Sequence, residues 1–183
     1  MALESRDKLK SLVHYICSKR SGSPSLGSTK LNKILWFLDS IVYRQTGKPI
    51  TGAKYKKLQH GPVPVDILAI QKELESEGKI SVSYDRSYGF GFRTTIYTSL
   101  QEPDKSLLEE DELKFVDIVI SRICDGHTAR SISEHSHDVI WEAAAMGEEI
   151  PLEAVLASEE APLEPEDIDW ARGVIRKRKE GIA

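Results

Sequence analysis

The apolar positions of this chain fall mostly into helical spacing. Leu9, Leu12, Val13, Ile16 and Cys17 predict an amphipathic helix over residues about 5–20. The stretch SGSPSLGS at 21–28 breaks it with small residues and a proline. Leu31, Ile34, Leu35, Leu38, Ile41 and Val42 form the stripe of a second helix, about 29–46, and Trp36 and Phe37 widen its apolar surface until no large side is left for water. Such a helix belongs at the centre of a core, where each large side chain contributes roughly 1.5–3 kcal/mol on full burial. Gly47 supplies a left-handed stop and Pro49 prevents resumption. TGAKYKKLQHG at 51–61 reads as a basic connector. Pro62 and Pro64 then fix the backbone at the mouth of a third helix, 63–78, with Val63, Ile67, Ile70 and Leu74 along one face.

At residue 79 the period changes. Ile80, Val82 and Tyr84 alternate with polar residues, as do Phe92, Thr94, Ile96 and Thr98, and DRSYGFG lies between them, so 79–99 reads as a β-hairpin. Gln101 to Ser106 is a linker. Glu109 to Glu112 then give a helix an acidic first turn, which its dipole favours, and Val116, Val119, Ile120 and Ile123 line its inner face up to a stop at Gly126. Residues 128–135 form a short helix. Asp138 is the N-cap of VIWEAAAM, which Gly147 ends. After an Ala/Glu/Pro-rich link at 157–164, Pro165 opens a last helix with acids at its start and Arg176 to Lys179 at its end. The fold class is mainly α with some β (α+β): a helical domain with one small antiparallel hairpin and a winged-helix-like element order in its middle. The expected division is a domain over 1–156, followed by a linker and helix over 157–183.

The charge is asymmetric. Residues 1–60 carry a balance of +9 and residues 61–183 a balance of −13, which together give the net −4. The plainer account is that the halves pack together and neutralise one another. The sharper one is a basic face for an acidic or nucleic-acid partner. No apolar run approaches the roughly 18 residues of a membrane span. The charged start MALESRDKLK lacks the apolar stretch of a signal peptide, so a cytoplasmic protein with no membrane partner is expected. Cys17 and Cys124 lie in apolar helical runs, where thiols stay buried and reduced.

No catalytic constellation stands out. His135, His137 and Asp138 invite a metal reading, but helical positions two apart point about 200° from one another, and histidines at a helix junction bond the backbone groups left open there. A nucleophile elbow is missing, and GFGF at 89–92 precedes no helix that could hold phosphate. The expectation is a non-enzyme without cofactor or metal. A winged helix would bind DNA through 63–78, yet Asp66, Glu73, Glu75 and Glu77 there oppose a single Lys72 and would repel phosphate. The connector is the basic part. Tyr55, Lys56 and Lys57 there, with Tyr88, Phe90 and Phe92 in the hairpin, form the candidate partner surface, because aromatics flanked by basic side chains are common at interfaces.

One ordered set of motifs resembles a known family. Lys30, Leu31, Lys33, Ile34, Leu35, Trp36 and Phe37 make a K-L-x-K-I-L-W-F helix, followed by Gly47, Pro49 and Ile50. Gly61, Pro62 and Val63 come next, and Ser133, Ser136, His137 and Trp141 complete an S-x-x-S-H-x-x-x-W segment. In this order they resemble the SocA-like antitoxins, or Panacea domain, also described as phage-associated protein. The resemblance implies an antitoxin that neutralises a cognate toxin by direct binding, with delivery to bacterial protease machinery as one route. It implies no catalytic residue. The runner-up role is a regulator that binds operator DNA. The motif residues read as structural, with Gly61 and Pro62 aiming the helix that follows. Trp141 reads as a core anchor whose indole N–H is bonded, with His137 as candidate acceptor.

Overall fold

The computed structural model describes residues 2–85 and 93–157. Their order is α1 (Ala2–Lys19), α2 (Gly27–Thr46), β1 (Tyr55–Leu58), β2 (Gly61–Pro64), α3 (Ile67–Ser76), β3 (Ile80–Asp85), β4 (Thr94–Ser99), α4 (Glu110–Gly126), α5 (Ala129–His135), α6 (Val139–Ala143) and β5 (Glu149–Ile150), then a 3-10 helix over Leu152–Ala157. The final helix from Pro165 and the hairpin residues Tyr88, Phe90 and Phe92 lie outside the described residues.

α2 is the hub, packing against α4, α5, β2, β4 and the 3-10 helix. Its Leu31, Ile34, Leu35 and Leu38 join the main core with Leu12, Val13 and Ile16 of α1, Ile70 and Leu74 of α3, and Val116 and Ile120 of α4. Trp36 turns the other way, into a second cluster with Tyr55, Ile140, Ile150 and Val155. Phe37 and Ala53 pack against both. Gly47 ends α2 as expected, at φ 71° with its N–H donated to Tyr43 O.

Two regions differ from the sequence expectation. The connector and the proline-locked turn are a hairpin of their own. β1 pairs antiparallel with β2 and, on its other side, with β5, giving a three-stranded sheet in the order β2-β1-β5. Val63 is therefore a strand residue, and α3 begins only at Ile67. The Val65 N–H donates to Lys54 O, so alternate residues of β2 face β1 and the nitrogens of Pro62 and Pro64 face the open edge. A proline has no N–H to leave unpaired there, which is why an edge strand tolerates two of them and resists further pairing.

The second difference is parity. β3 and β4 pair as expected, with Val82 opposite Tyr97 and Ile80 opposite Ser99. The inward face of β4 therefore holds Tyr97 and Ser99, not Thr94, Ile96 and Thr98. Tyr97 is a main-core residue whose hydroxyl accepts from Gln71 Nε2 at 3.0 Å.

The charge asymmetry resolves into contacts between the halves. Arg6 and Lys10 of α1 pair with Glu73 of α3 and Glu77 just past it, Lys8 with Glu112, Lys19 with Asp117, and Arg20 with Asp125 of α4. Cys17 and Cys124 are both free thiols, and burial pushes Cys17 up to about 12.

Candidate functional site

The three motif segments meet at one point. Lys33, from the middle of α2, reaches under the β1–β2 turn, and its side chain is 1% exposed. Gly61 covers it. A Cβ on Gly61 would lie 1.7 Å from Lys33 Nζ and 2.5 Å from Ser136 Oγ, and the residue sits at φ +106°. Only glycine fits both the backbone angle and the space. Lys33 Nζ has no hydrogen-bond partner among the described residues. Burial therefore pulls its pKa down to about 7, against a lesser upward pull from Asp138.

The other two buried lysines close helix ends. Lys30 Nζ donates to Cys124 O at 3.0 Å in the last turn of α4. Lys57 Nζ donates to Ala144 O at 3.0 Å, just past α6. A cation there satisfies carbonyls that no helical N–H reaches. Lys57 also stands 4.0 Å over the Trp141 ring, while His137 stacks on that indole at 3.8 Å with an interplanar angle of 6°. Two groups so close to one ring must occupy opposite faces. The indole N–H of Trp141 donates to Leu58 O at 3.1 Å, so the expected bond to His137 is replaced by a stack. Asp138 caps α6 as expected, accepting from the Trp141 N–H at 2.9 Å. Burial and the nearby Lys33, His60 and Lys57 lower the pKa of His137. His135 packs edge-on against His127 instead, so the two imidazoles belong to different neighbourhoods.

Tyr55 must be corrected as a partner-surface residue. It is fully buried, edge-to-face with Trp36 at 5.0 Å, and its hydroxyl lies 2.8 Å from Asp39 Oδ2 and 2.9 Å from Leu35 O. The alternation of β1 turns Tyr55 and Lys57 inward and leaves Lys56 at the surface side. Asp39 also accepts from the Thr51 N–H at 2.8 Å and from the Thr51 hydroxyl. Burial raises the pKa of Asp39 against these bonds, and burial together with Asp39 raises that of Tyr55. Of the six residues expected to meet a partner, Lys56 alone combines a described position with a side chain that is not buried, and it is half-buried. Tyr88, Phe90 and Phe92 are outside the described residues.

Outside this frame lies a groove of about 510 Å³, walled by the first turn of α2, the β1–β2 hairpin and the start of α3. Its rim holds Val65, Leu68 and Met146, which are 43%, 69% and 63% exposed. Lys56 and His60 border it, and Asn32 and Lys33 line it. None of these was singled out from sequence except Lys56 and Lys33. Leu68 did carry a signal, since it stands off the Ile67, Ile70, Leu74 stripe. Met146 carried none, because its exposure depends on the end of α6. That helix stops at Ala143 rather than running to Gly147, and the following turn swings beside β1, where Gly147 N–H donates to Lys57 O at 2.8 Å. A wider depression of about 1020 Å³ lies on the other side of the Met146 turn, near Tyr43, Pro49 and β5, with Glu149 and Glu153 along it.

α3 and its capping residues present Asp66, Glu75 and Glu77 to solvent beside a single Lys72. That face is unsuited to a phosphate backbone. No helix among the described residues is long and apolar enough to cross a membrane.

These features define a mainly helical α+β domain in which three marked sequence segments lock together beneath an open groove. The model of the family described as antitoxin SocA-like, Panacea domain, matches residues 31–142, and the chain belongs to that family. The match takes in Lys33, Gly61, Ser136, His137 and Trp141, the residues of the frame. No curated protein and no solved structure is similar enough to match.

Proposed function

We propose that this protein is an antitoxin that neutralises a cognate toxin by direct protein–protein binding, with no catalytic step of its own. The observation that carries this reading, beside family membership, is how the motif residues are used. Lys30 closes a helix end, and Trp141 is held between His137 and the non-motif Lys57 with its N–H bonded. Gly61 is fitted to Lys33. Side chains engaged with one another in this way build a scaffold, and partner choice falls to the surface around it.

The test is co-expression with the product of each adjacent open reading frame. Growth arrest by one such product, relieved by this protein, supports the reading. Continued arrest in its presence for every toxic neighbour overturns it. The toxin's fate separates two routes within the reading. A stable equimolar complex means sequestration. A toxin half-life that this protein shortens, and that a protease-deficient host restores, means delivery to a bacterial protease.

A further inference from the structure

Eight large apolar side chains of the described residues are exposed, and most stand alone, as they do on any soluble surface. Val65, Leu68 and Met146 are different. They come from two distant parts of the chain and border the same groove, whose wall continues through Leu58, Val63 and Ile67. Clustered exposed apolar groups around a concave surface mark interaction sites more often than scattered ones do.

The charged residues that line the groove have one sign, while the exposed Asp66 flanks it at the N-cap of α3. None of the described residues lining it is acidic, while Lys33, Lys56 and His60 are basic, in a protein whose net charge is −4. Lys56 forms no ion pair with a described residue, unlike Lys8, Lys10 and Lys19. Two helices also begin here. Ser28 and Thr29 belong to the first turn of α2, and Ile67 and Leu68 to that of α3. Neither helix has a side-chain cap on its first N–H groups or an acid in its first turn. Asp66, at the N-cap of α3, is outside the lining. Helix starts without caps favour negative charge. Beneath them lie two buried polar atoms without partners, Asn32 Oδ1 and Lys33 Nζ.

We propose that this groove is the toxin-docking surface and that it takes an amphipathic, acidic segment of the toxin. The apolar face of that segment lies on Val65, Leu68 and Met146, and its Asp or Glu side chains meet Lys56, His60 and the start of α2, away from Asp66. The inference rests on the antitoxin reading above and adds the place of binding and the chemistry of the partner. The open edge of β2 is not the means, because Pro62 and Pro64 leave it without the donors that strand addition uses.

The experiment uses the full chain and the toxic neighbour whose arrest it relieves. Leu68→Glu, Met146→Glu and Lys56→Glu are compared with Ile118→Glu, an equally exposed apolar position on α4. Thermal melting verifies that all four remain folded, as expected at three exposed positions and the half-buried Lys56. The expected result is that the three groove variants lose rescue and weaken binding of the inactivated toxin at least tenfold, while Ile118→Glu keeps both. For Lys56→Glu, an acidic-to-lysine change in the toxin restores binding. If wild type gives no rescue with any toxic neighbour, the antitoxin reading itself fails and the groove assignment with it. If wild type rescues and the folded groove variants do so equally well, the reading stands and the groove assignment is overturned. A homodimer in sedimentation that Leu68→Glu dissociates without loss of rescue gives the groove to a second copy of this chain, and also overturns the proposal.

Discussion

Gly61 lies over Lys33 so closely that a Cβ on the glycine would stand 1.7 Å from the lysine Nζ, at a backbone φ of +106°. The contact joins two segments that sequence motifs marked separately, and it makes the ammonium group the floor of the β1–β2 turn. Gly61→Ala is expected to cost about 1–3 kcal/mol from backbone conformation alone, and more from the clash. Lys33→Ala in the same chain should recover the lysine's share of the steric part and leave the conformational part and the contact with Ser136 Oγ. A double-mutant cycle in urea measures that coupling, and strict additivity would show that the two residues do not meet.

Lys33 also sets a pH dependence. Its folded-state value of about 7 lies below the ordinary 10.5, so between those limits the unfolded chain binds the extra proton. Stability therefore rises with pH from about 7 upward through this group, and the cost of the buried charge is greatest below 7. Asp138 opposes that cost, while Lys57, His60 and His137 surround the same site with further basic groups. Lys33→Met should be more stable than wild type at pH 6, with the gap closing towards pH 10. Urea unfolding across that range checks it, and a gap independent of pH would refute it.

Tyr55, in the second cluster, and the buried Asp39 beside it depend on each other. Tyr55→Phe keeps the edge-to-face contact with Trp36 and removes one donor from a buried carboxylate. A loss of about 1–3 kcal/mol is expected, read as a lower urea midpoint with an unchanged slope.

The stack of His137 on Trp141 gives an optical readout. A protonated imidazole quenches a neighbouring indole, so tryptophan emission should fall on acidification. Its midpoint should lie below the usual 6.5, because burial and the surrounding lysines lower the pKa of His137. His137→Gln should abolish that transition, and a midpoint at or above the usual value would contradict the environment described. Trp141→Ala should cost about 3 kcal/mol, and a wild-type melting temperature would remove its role as an anchor.

The ion pairs between α1 and α3 should respond to acid and salt. Lys10 and Lys79 hold the Glu77 carboxyl down at about 2, so its contribution is present above the ordinary 4.5 and fades as pH falls towards 2. Lys10→Ala should lower stability at pH 7 in dilute buffer, and the difference should shrink in 1 M salt, where charges at an exposed surface are screened. An unfolding series at the two ionic strengths tests it.

Periodicity and chain punctuation determined most of the local structure by themselves. The stripes of α1, α2 and α4, the Gly47 stop, the Asp138 cap and the pairing of 80–85 with 94–99 follow from residues close in sequence, because spacing and capping act over a few positions. The family motifs were legible for the same reason, as fixed residues at short separations. Only the tertiary structure decided how separate segments meet. The hairpin of β1 with a proline-bearing β2 depends on an open edge, which no local pattern announces. The parity of β4 was set by packing Tyr97 into the core, where a tyrosine between polar neighbours gives no clear inward signal. Tyr55 and Lys57 read as surface residues until α2 and α6 covered them. The groove of Val65, Leu68, Met146 and Lys56 exists because a helix start, a strand and a distant turn come to one place, and exposure is a property of the folded arrangement and not of any residue's own chemistry.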